Sequence, residues 1–270
     1  MERELPIVKI EGTEFLVDVS QALLREKDRP ENTIPVFEMN DDGGGYSFEY
    51  DRQRRNMPDP WDSDPDVIVV NLPPLVEMDP EGMALKYGTT VEELKGKTDF
   101  DLMVDQKALD ERLKGRLTTI DIAGHTFYVD IPMDMLRPKD DFLSKGIVFR
   151  NVDHYYNEEE QSYAIPYNPA RHEFQELDYD SLTEFPKDLI VVEFPSERFL
   201  DPIGFNRKHG FGMLDGLKET QICPHFTAKV IGWKETGLQE TIDQNRKKLG
   251  IDRPVEAAKK GSRQRKGRGI

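Results

Sequence analysis

Ile10-Glu11-Gly12-Thr13-Glu14-Phe15-Leu16-Val17-Asp18-Val19 returns later in the same chain as Ile122-Ala123-Gly124-His125-Thr126-Phe127-Tyr128-Val129-Asp130-Ile131, a shift of 112 positions from residue 10 to residue 122. The same shift carries Leu24-Arg25-Glu26-Lys27-Asp28 onto Leu136-Arg137-Pro138-Lys139-Asp140, and Pro35-Val36-Phe37 onto Ile147-Val148-Phe149. Further on, the shift from residue 66 to residue 188 is 122. Asp66-Val67-Ile68-Val69-Val70-Asn71-Leu72-Pro73 there meets Asp188-Leu189-Ile190-Val191-Val192-Glu193-Phe194-Pro195. Asp79-Pro80-Glu81-Gly82 and Lys86-Tyr87-Gly88 meet Asp201-Pro202-Ile203-Gly204 and Lys208-His209-Gly210 at that later shift, so ten residues are added in the second stretch's middle loops. Self-similarity of this kind reads as a duplicated domain.

The expected fold class is therefore α+β, an internally duplicated strand-rich domain with short helices. Residues 1–88 form the first repeat, 89–115 a helical connector, 116–210 the second repeat, 211–250 a strand and helix extension, and 251–270 a basic tail. From Ala257 to Ile270 the tail has no large apolar residue except its last and is rich in glycine, serine, glutamine and basic residues, a composition expected to be disordered when free.

Within each repeat the pattern is local and physical. Apolar residues flank Gly12 and Gly124, the arrangement of a hairpin whose turn needs a positive φ. A strand is expected over 34–39 and another over 46–50. Val67-Ile68-Val69-Val70 and Leu189-Ile190-Val191-Val192 run apolar without alternation, as in a central strand covered on both faces. Asp79-Pro80 and Asp201-Pro202 place an N-cap before a proline at the first helical position, with Gly88 and Gly210 as stops. In the connector, Thr90 with Glu93 has capping-box spacing and 99–114 has helical periodicity. The extension reads as one strand over 226–233, followed by a helix capped by Thr236 with Gln239.

The chain has 37 basic and 52 acidic residues for a net charge of −15, and its charge is uneven. From Arg253 onward seven residues are basic and one is acidic, which leaves the body with 30 basic against 51 acidic residues, a balance of −21. Such a body repels a phosphate backbone, whereas the tail attracts polyanions. One cysteine excludes an intramolecular disulfide. With no signal-peptide pattern at Met1-Glu2-Arg3-Glu4 and no membrane-length apolar run, the expected setting is cytoplasmic, without membrane contact.

No motif in the chain specifies a reaction, a cofactor or a metal. Asp62-Ser63-Asp64-Pro65-Asp66 begins like a calcium loop, but Val67 stands where glycine is required and Pro73 where the bidentate glutamate belongs. Cys223, between Ile222 and Pro224, reads as a small buried residue. All five histidines lie in the second half of the chain, and an enzyme would be built on His125, His154 and His209. The most informative recurrence is Arg25, Lys27 and Asp28 as Arg137, Lys139 and Asp140. It fits either an ion pair that fixes each fold or two equivalent patches for an acidic, carboxylate-bearing partner. Lys259, Lys260, Arg263, Arg265, Lys266 and Arg268 form a second candidate surface, for nucleic acid or another polyanion, without an aromatic to stack on a base. The expected function is a non-enzymatic adaptor that contacts a protein partner through its lobes. An enzyme centred on the histidines and an acidic mimic of nucleic acid are the alternatives.

Overall fold

In the computed structural model, which describes residues 3–251, β1 (Ile7–Ile10) and β2 (Thr13–Asp18) meet in a two-residue turn whose members Glu11 and Gly12 have φ of 47° and 82°. β3 (Leu23–Glu26) and β4 (Thr33–Pro35) complete a four-stranded antiparallel sheet in the order β1-β2-β3-β4. A 3-10 turn at Val36–Glu38 ends β4, so the strand expected over 34–39 stops at Pro35. β5 (Asn40–Asp41), β6 (Tyr46–Asp51) and β7 (Val67–Leu72) form a second sheet, and α1 (Leu75–Met78) and α2 (Pro80–Tyr87) close this half. After the connector helices α3 (Asp99–Met103) and α4 (Gln106–Leu113), β8 (Thr119–Ile122), β9 (His125–Asp130), β10 (Met135–Pro138) and β11 (Ile147–Val148) follow.

Pairing registers carry the correspondence between the halves. Ile7 faces Leu16 as Thr119 faces Tyr128, and Phe15 faces Glu26 as Phe127 faces Pro138. The turn between β8 and β9 again has two positive φ values, 50° at Ala123 and 88° at Gly124. Two consecutive positive values make the primed turn whose twist matches a hairpin, and the second residue is glycine because it has no Cβ to clash. The second half continues with α5 (Phe149–Val152), β12 (Tyr156–Asn157), β13 (Ser162–Asn168), β14 (Glu173–Phe174), β15 (Ile190–Pro195), α6 (Glu197–Leu200) and α7 (Pro202–His209). In each half the apolar core lies between the two sheets. Phe15 meets Tyr50 edge-on at 6.4 Å in one, and Phe127 meets Tyr167 edge-on at 6.3 Å in the other.

Asp-Pro-x-Gly has a steric explanation. The Asp79 side chain accepts from Gly82 N at 2.9 Å, and Asp201 accepts from Gly204 N at 3.1 Å. A Cβ on Gly82 would lie 2.1 Å from Asp79 Oδ2, and one on Gly204 2.2 Å from Asp201 Oδ2, so the folded-back carboxylate admits only glycine there. Each carboxylate also holds an arginine in two-pronged contact. Arg3 reaches Asp79 at 2.7 and 2.5 Å, and Arg112 of α4 reaches Asp201 at 2.9 and 2.7 Å.

The connector packs against both halves but is not one helix. Val104 is extended, and Asp105 starts α4 by accepting from Lys107 N and Ala108 N, both at 2.9 Å. Residues 91–96 are turns, although the Thr90 and Glu93 capping bonds form. Asp99, buried at the start of α3, accepts from Leu75 N, Val76 N and Tyr46 Oη at 2.7, 2.8 and 2.6 Å, so the connector caps α1 in the first half. On the other side, Val104, Ala108 and Leu109 pack with Ile203, Leu217 and Ile222.

The extension begins with α8 (Leu217–Thr220), whose Lys218 pairs with Asp41 and donates to Tyr46 Oη at 3.1 Å. The strand expected over 226–233 is two strands, β16 (His225–Thr227) and β17 (Lys229–Ile231), in different sheets with buried Ala228 between them. α9 (Leu238–Lys248) starts from Gly237 in the left-handed conformation, one residue past the expected Thr236 cap. β15 is central, between β13 and β17. β7 departs from the sequence reading: among the described residues it pairs with β6 alone and is an edge strand. No helix among the described residues is long and apolar enough to cross a membrane.

Removing one partner of a buried charge pair leaves the other uncompensated, at a cost of about 3–5 kcal/mol. Arg112→Met is therefore expected to destabilise by that amount in urea melts. Arg3→Met is expected to cost less, because the 27% exposed Arg3 side chain leaves a site that water can enter.

Candidate functional site

The outer face of the sheet β8-β9-β10, with β16 on its edge, forms an open polar concavity of about 690 Å³. Alternation along the strands sets its lining. Thr119 and Asp121 of β8, Thr126 and Tyr128 of β9, and Arg137 of β10 point outward, and Lys139 follows at the end of β10. Arg116 and His225 stand at its rim. Arg137 lies over the Tyr128 ring at 5.0 Å and reaches Asp130 at 3.3 Å. Thr126 Oγ1 donates to Asp121 at 2.6 Å, while His225 lies 2.9 Å from Thr119 Oγ1 and 3.4 Å from Asp121. Among the described residues the Lys139 side chain has no hydrogen-bond or ion-pair partner. Its backbone N–H donates to Thr126 O at 2.9 Å and holds the residue on the sheet.

The matching face of the first half neutralises itself. Lys27, the counterpart of Lys139, pairs with Glu14 at 2.8 Å, and Lys9 reaches the same carboxylate at 3.1 Å. These two lysines, Lys27 foremost, hold the Glu14 carboxyl below its usual range. In the second half the residue at the Glu14 position is Thr126. Arg25 pairs with Asp18 at 3.5 Å, as Arg137 does with Asp130, and also donates to Gln21 and to the Pro30 carbonyl at 2.8 and 3.2 Å. The two arginines thus make equivalent ion pairs within their own halves, and the two lysines differ. Asp28 and Asp140 are exposed.

Sequence reasoning passed over Glu26, whose counterpart is Pro138. Its buried carboxylate accepts from Arg29 at 3.0 and 2.7 Å, from Asn32 at 2.8 Å and from Arg55 at 2.9 Å. The Arg29 bonds, against the opposing effect of burial and with help from Asn32 and Arg55, bring its pKa down from 4.5 to about 2. The two arginines sit on separate loops, so only the charged residues themselves signalled this cluster.

A second cavity, of about 300 Å³, lies in the seam between the β13-β15-β17 sheet and α9. Tyr155, Pro166, Tyr179, Trp233 and Leu238 line it, and Glu235 is its one ionisable carboxylate. The three histidines proposed for an enzyme line neither cavity. His125 stacks on His172 at 3.5 Å, His154 on Tyr155 at 4.2 Å and His209 on Phe205 at 4.3 Å, three separate surface contacts. Among the described residues no group of three or more His, Cys, Asp or Glu side chains is placed to hold a metal ion. Cys223 is exposed, contrary to its reading as a core residue. Its neighbour Pro224 is pinned to β8 through Thr119 N at 3.1 Å, and its thiol donates to the His225 carbonyl at 2.9 Å. The tail residues from Lys259 to Arg268 lie outside the described residues.

No family model, curated protein or solved structure matches the chain.

A carboxylate whose folded pKa is depressed stabilises the fold above its unfolded value, and that contribution is lost as pH falls through the folded value. The gap in melting temperature between the parent protein and Glu26→Gln is expected to be full at pH 7, to shrink below about 4.5 and to close towards about 2. A constant gap across that range would assign the Glu26 effect to packing.

Proposed function

We propose that the chain is a non-enzymatic cytoplasmic adaptor with two copies of one fold, and that the basic concavity on its second half binds an acidic segment of a partner protein. The observation that carries the binding reading is Lys139, without a side-chain partner among the described residues, beside Arg137 in a concavity of about 690 Å³. An unpaired ammonium next to a guanidinium favours carboxylates, and the Tyr128 ring packs under the arginine.

Three observations support duplication: equal strand order, equal register at a shift of 112 and repeated Arg–Asp clamps. On this reading 1–88 and 116–210 are the copies, 89–115 connects them and 211–250 belongs to the second. Replacement of Glu14 by Thr126 then separates a self-neutralised face from one open to a partner. Contact between the basic tail and nucleic acid belongs to the same proposal and rests on composition alone.

Titrating a hexaglutamate peptide into the isotope-labelled full-length protein is expected to shift the amides of Thr126, Tyr128, Arg137 and Lys139, and to leave Lys27 and Glu14 unmoved. Lys139→Ala should weaken binding about fivefold to tenfold, the loss of one charge-assisted contact, without changing the melting temperature. Equal response of both halves, or indifference to Lys139→Ala, would contradict the assignment.

A further inference from the structure

β7 and β15 share Ile-Val-Val at corresponding positions but differ in how that stretch is covered. Val191 of β15 is 2% exposed and Val192 is 0% exposed, yet Val69, at the position of Val191, is 67% exposed. Ile120 of β8 is 0% exposed, whereas its counterpart Val8 is only partly buried, beside an Ile7 that is 46% exposed.

Val191 lies on the sheet face under α9, beside Trp233 and Leu238, and one continuous segment before that helix occupies the strand edges. His225, Phe226 and Thr227 pair in parallel with Thr119, Ile120 and Asp121 on the edge of β8. Ala228 N donates to the Asp121 carbonyl at 2.8 Å, and the chain crosses to the other sheet. Lys229, Val230 and Ile231 then pair antiparallel with Glu193, Val192 and Val191 on the edge of β15. Seven residues thus bind both sheets of the second half together. The equivalent positions in the first half are Ile7, Val8 and Lys9 on β1, and Asn71, Val70 and Val69 on β7. Among the described residues β1 pairs with β2 alone and β7 with β6 alone.

We propose that the first half accepts, across the edges of β1 and β7, an extended segment of a partner protein seated as His225–Ile231 is seated on the second half. This surface is separate from the basic concavity, and the inference rests on the equivalence of the two halves. Exposed strand edges are ordinarily guarded by lysine, proline or a bulge, and β7 has none of these in Val67-Ile68-Val69-Val70-Asn71-Leu72. Main-chain bonds to such an edge supply affinity, and the side chains that alternate inward supply specificity.

The filled slot shows what the open one selects. Phe226 packs on the core, Ala228 is 7% exposed at the crossover, and Ile231 faces the apolar seam under α9. The partner segment is therefore apolar, any, small, any, any, with a sixth residue that is apolar because it lies beside the exposed Val69. Its continuation runs towards the start of β7, where Asp62, Asp64 and Asp66 are exposed, so basic residues belong immediately after it. A second copy of this chain fits less well. It brings a net charge of −15 against the same charge, and β7 paired with β7 leaves the β1 edge bare.

The test is a peptide with the chain's own residues 224–231 followed by two lysines, titrated into the isotope-labelled full-length protein. Saturable shifts and slowed exchange are expected at Ile7–Ile10 and Val67–Leu72, with the Arg137 and Lys139 amides unmoved. A scrambled peptide should not bind. Val69→Lys, at an exposed side chain, should leave melting unchanged and weaken binding about tenfold. Changes at β8 and β15 in place of β1 and β7 would mean exchange with the resident strand and would overturn the proposal. So would concentration-dependent protection of β7 without peptide, which would make the occupant a second copy, or no binding at all.

Discussion

A carboxylate that caps a short helix while an arginine grips its two oxygens is the constraint on which both halves depend. Asp79 and Asp201 are each 1% exposed, and burying a carboxylate is costly unless it is paired and hydrogen-bonded. Each receives a backbone N–H from the first turn of its helix and two N–H groups from a guanidinium. The geometry leaves no room for a Cβ at Gly82 or Gly204, so the cap and the glycine require one another. Because Arg112 comes from the connector while Asp99 of the same connector caps α1, the clamp of the second half also fixes its place relative to the first.

With the frame held in this way, the halves differ mainly in what covers their surfaces. The second half has the strand pair β16 and β17 on its edges and α9 over its second sheet. Among the described residues the first half has neither, and its β7 keeps the apolar composition of a covered strand. Burying a valine is worth roughly 1.5 kcal/mol, so an exposed Val69 leaves stabilisation unrealised that Val191 obtains. The charged faces differ in the opposite sense. Glu14 satisfies two lysines in the first half, and Thr126 offers Lys139 no carboxylate in the second.

What could be read in the sequence was local chemistry. Gly12 and Gly124, Asp-Pro-x-Gly and the stops at Gly88 and Gly210 act through their own backbone and nearest neighbours, and the structure has them in those roles. What escaped depends on distant partners. Arg3 and Arg112 do equivalent work but are not equivalent by shift, since residue 3 maps onto Gly115. Lys27 and Lys139 look alike until the residue across the sheet is known. Val69 and Val191 sit in matching sequences, and only the distant stretch from β17 through α9 distinguishes them. The single strand expected over 226–233 failed at Ala228, where the chain changes sheets to satisfy two edges at once.

Native-state hydrogen exchange of the free, dilute full-length protein tests the central claim most directly, namely that one half is complete and its equivalent is open. The account predicts strong protection along Ile190–Pro195 together with fast exchange of the outward amides of Val67–Leu72. Equal, strong protection of the two strands in the monomer would contradict it, because β7 would then already be covered by the chain itself.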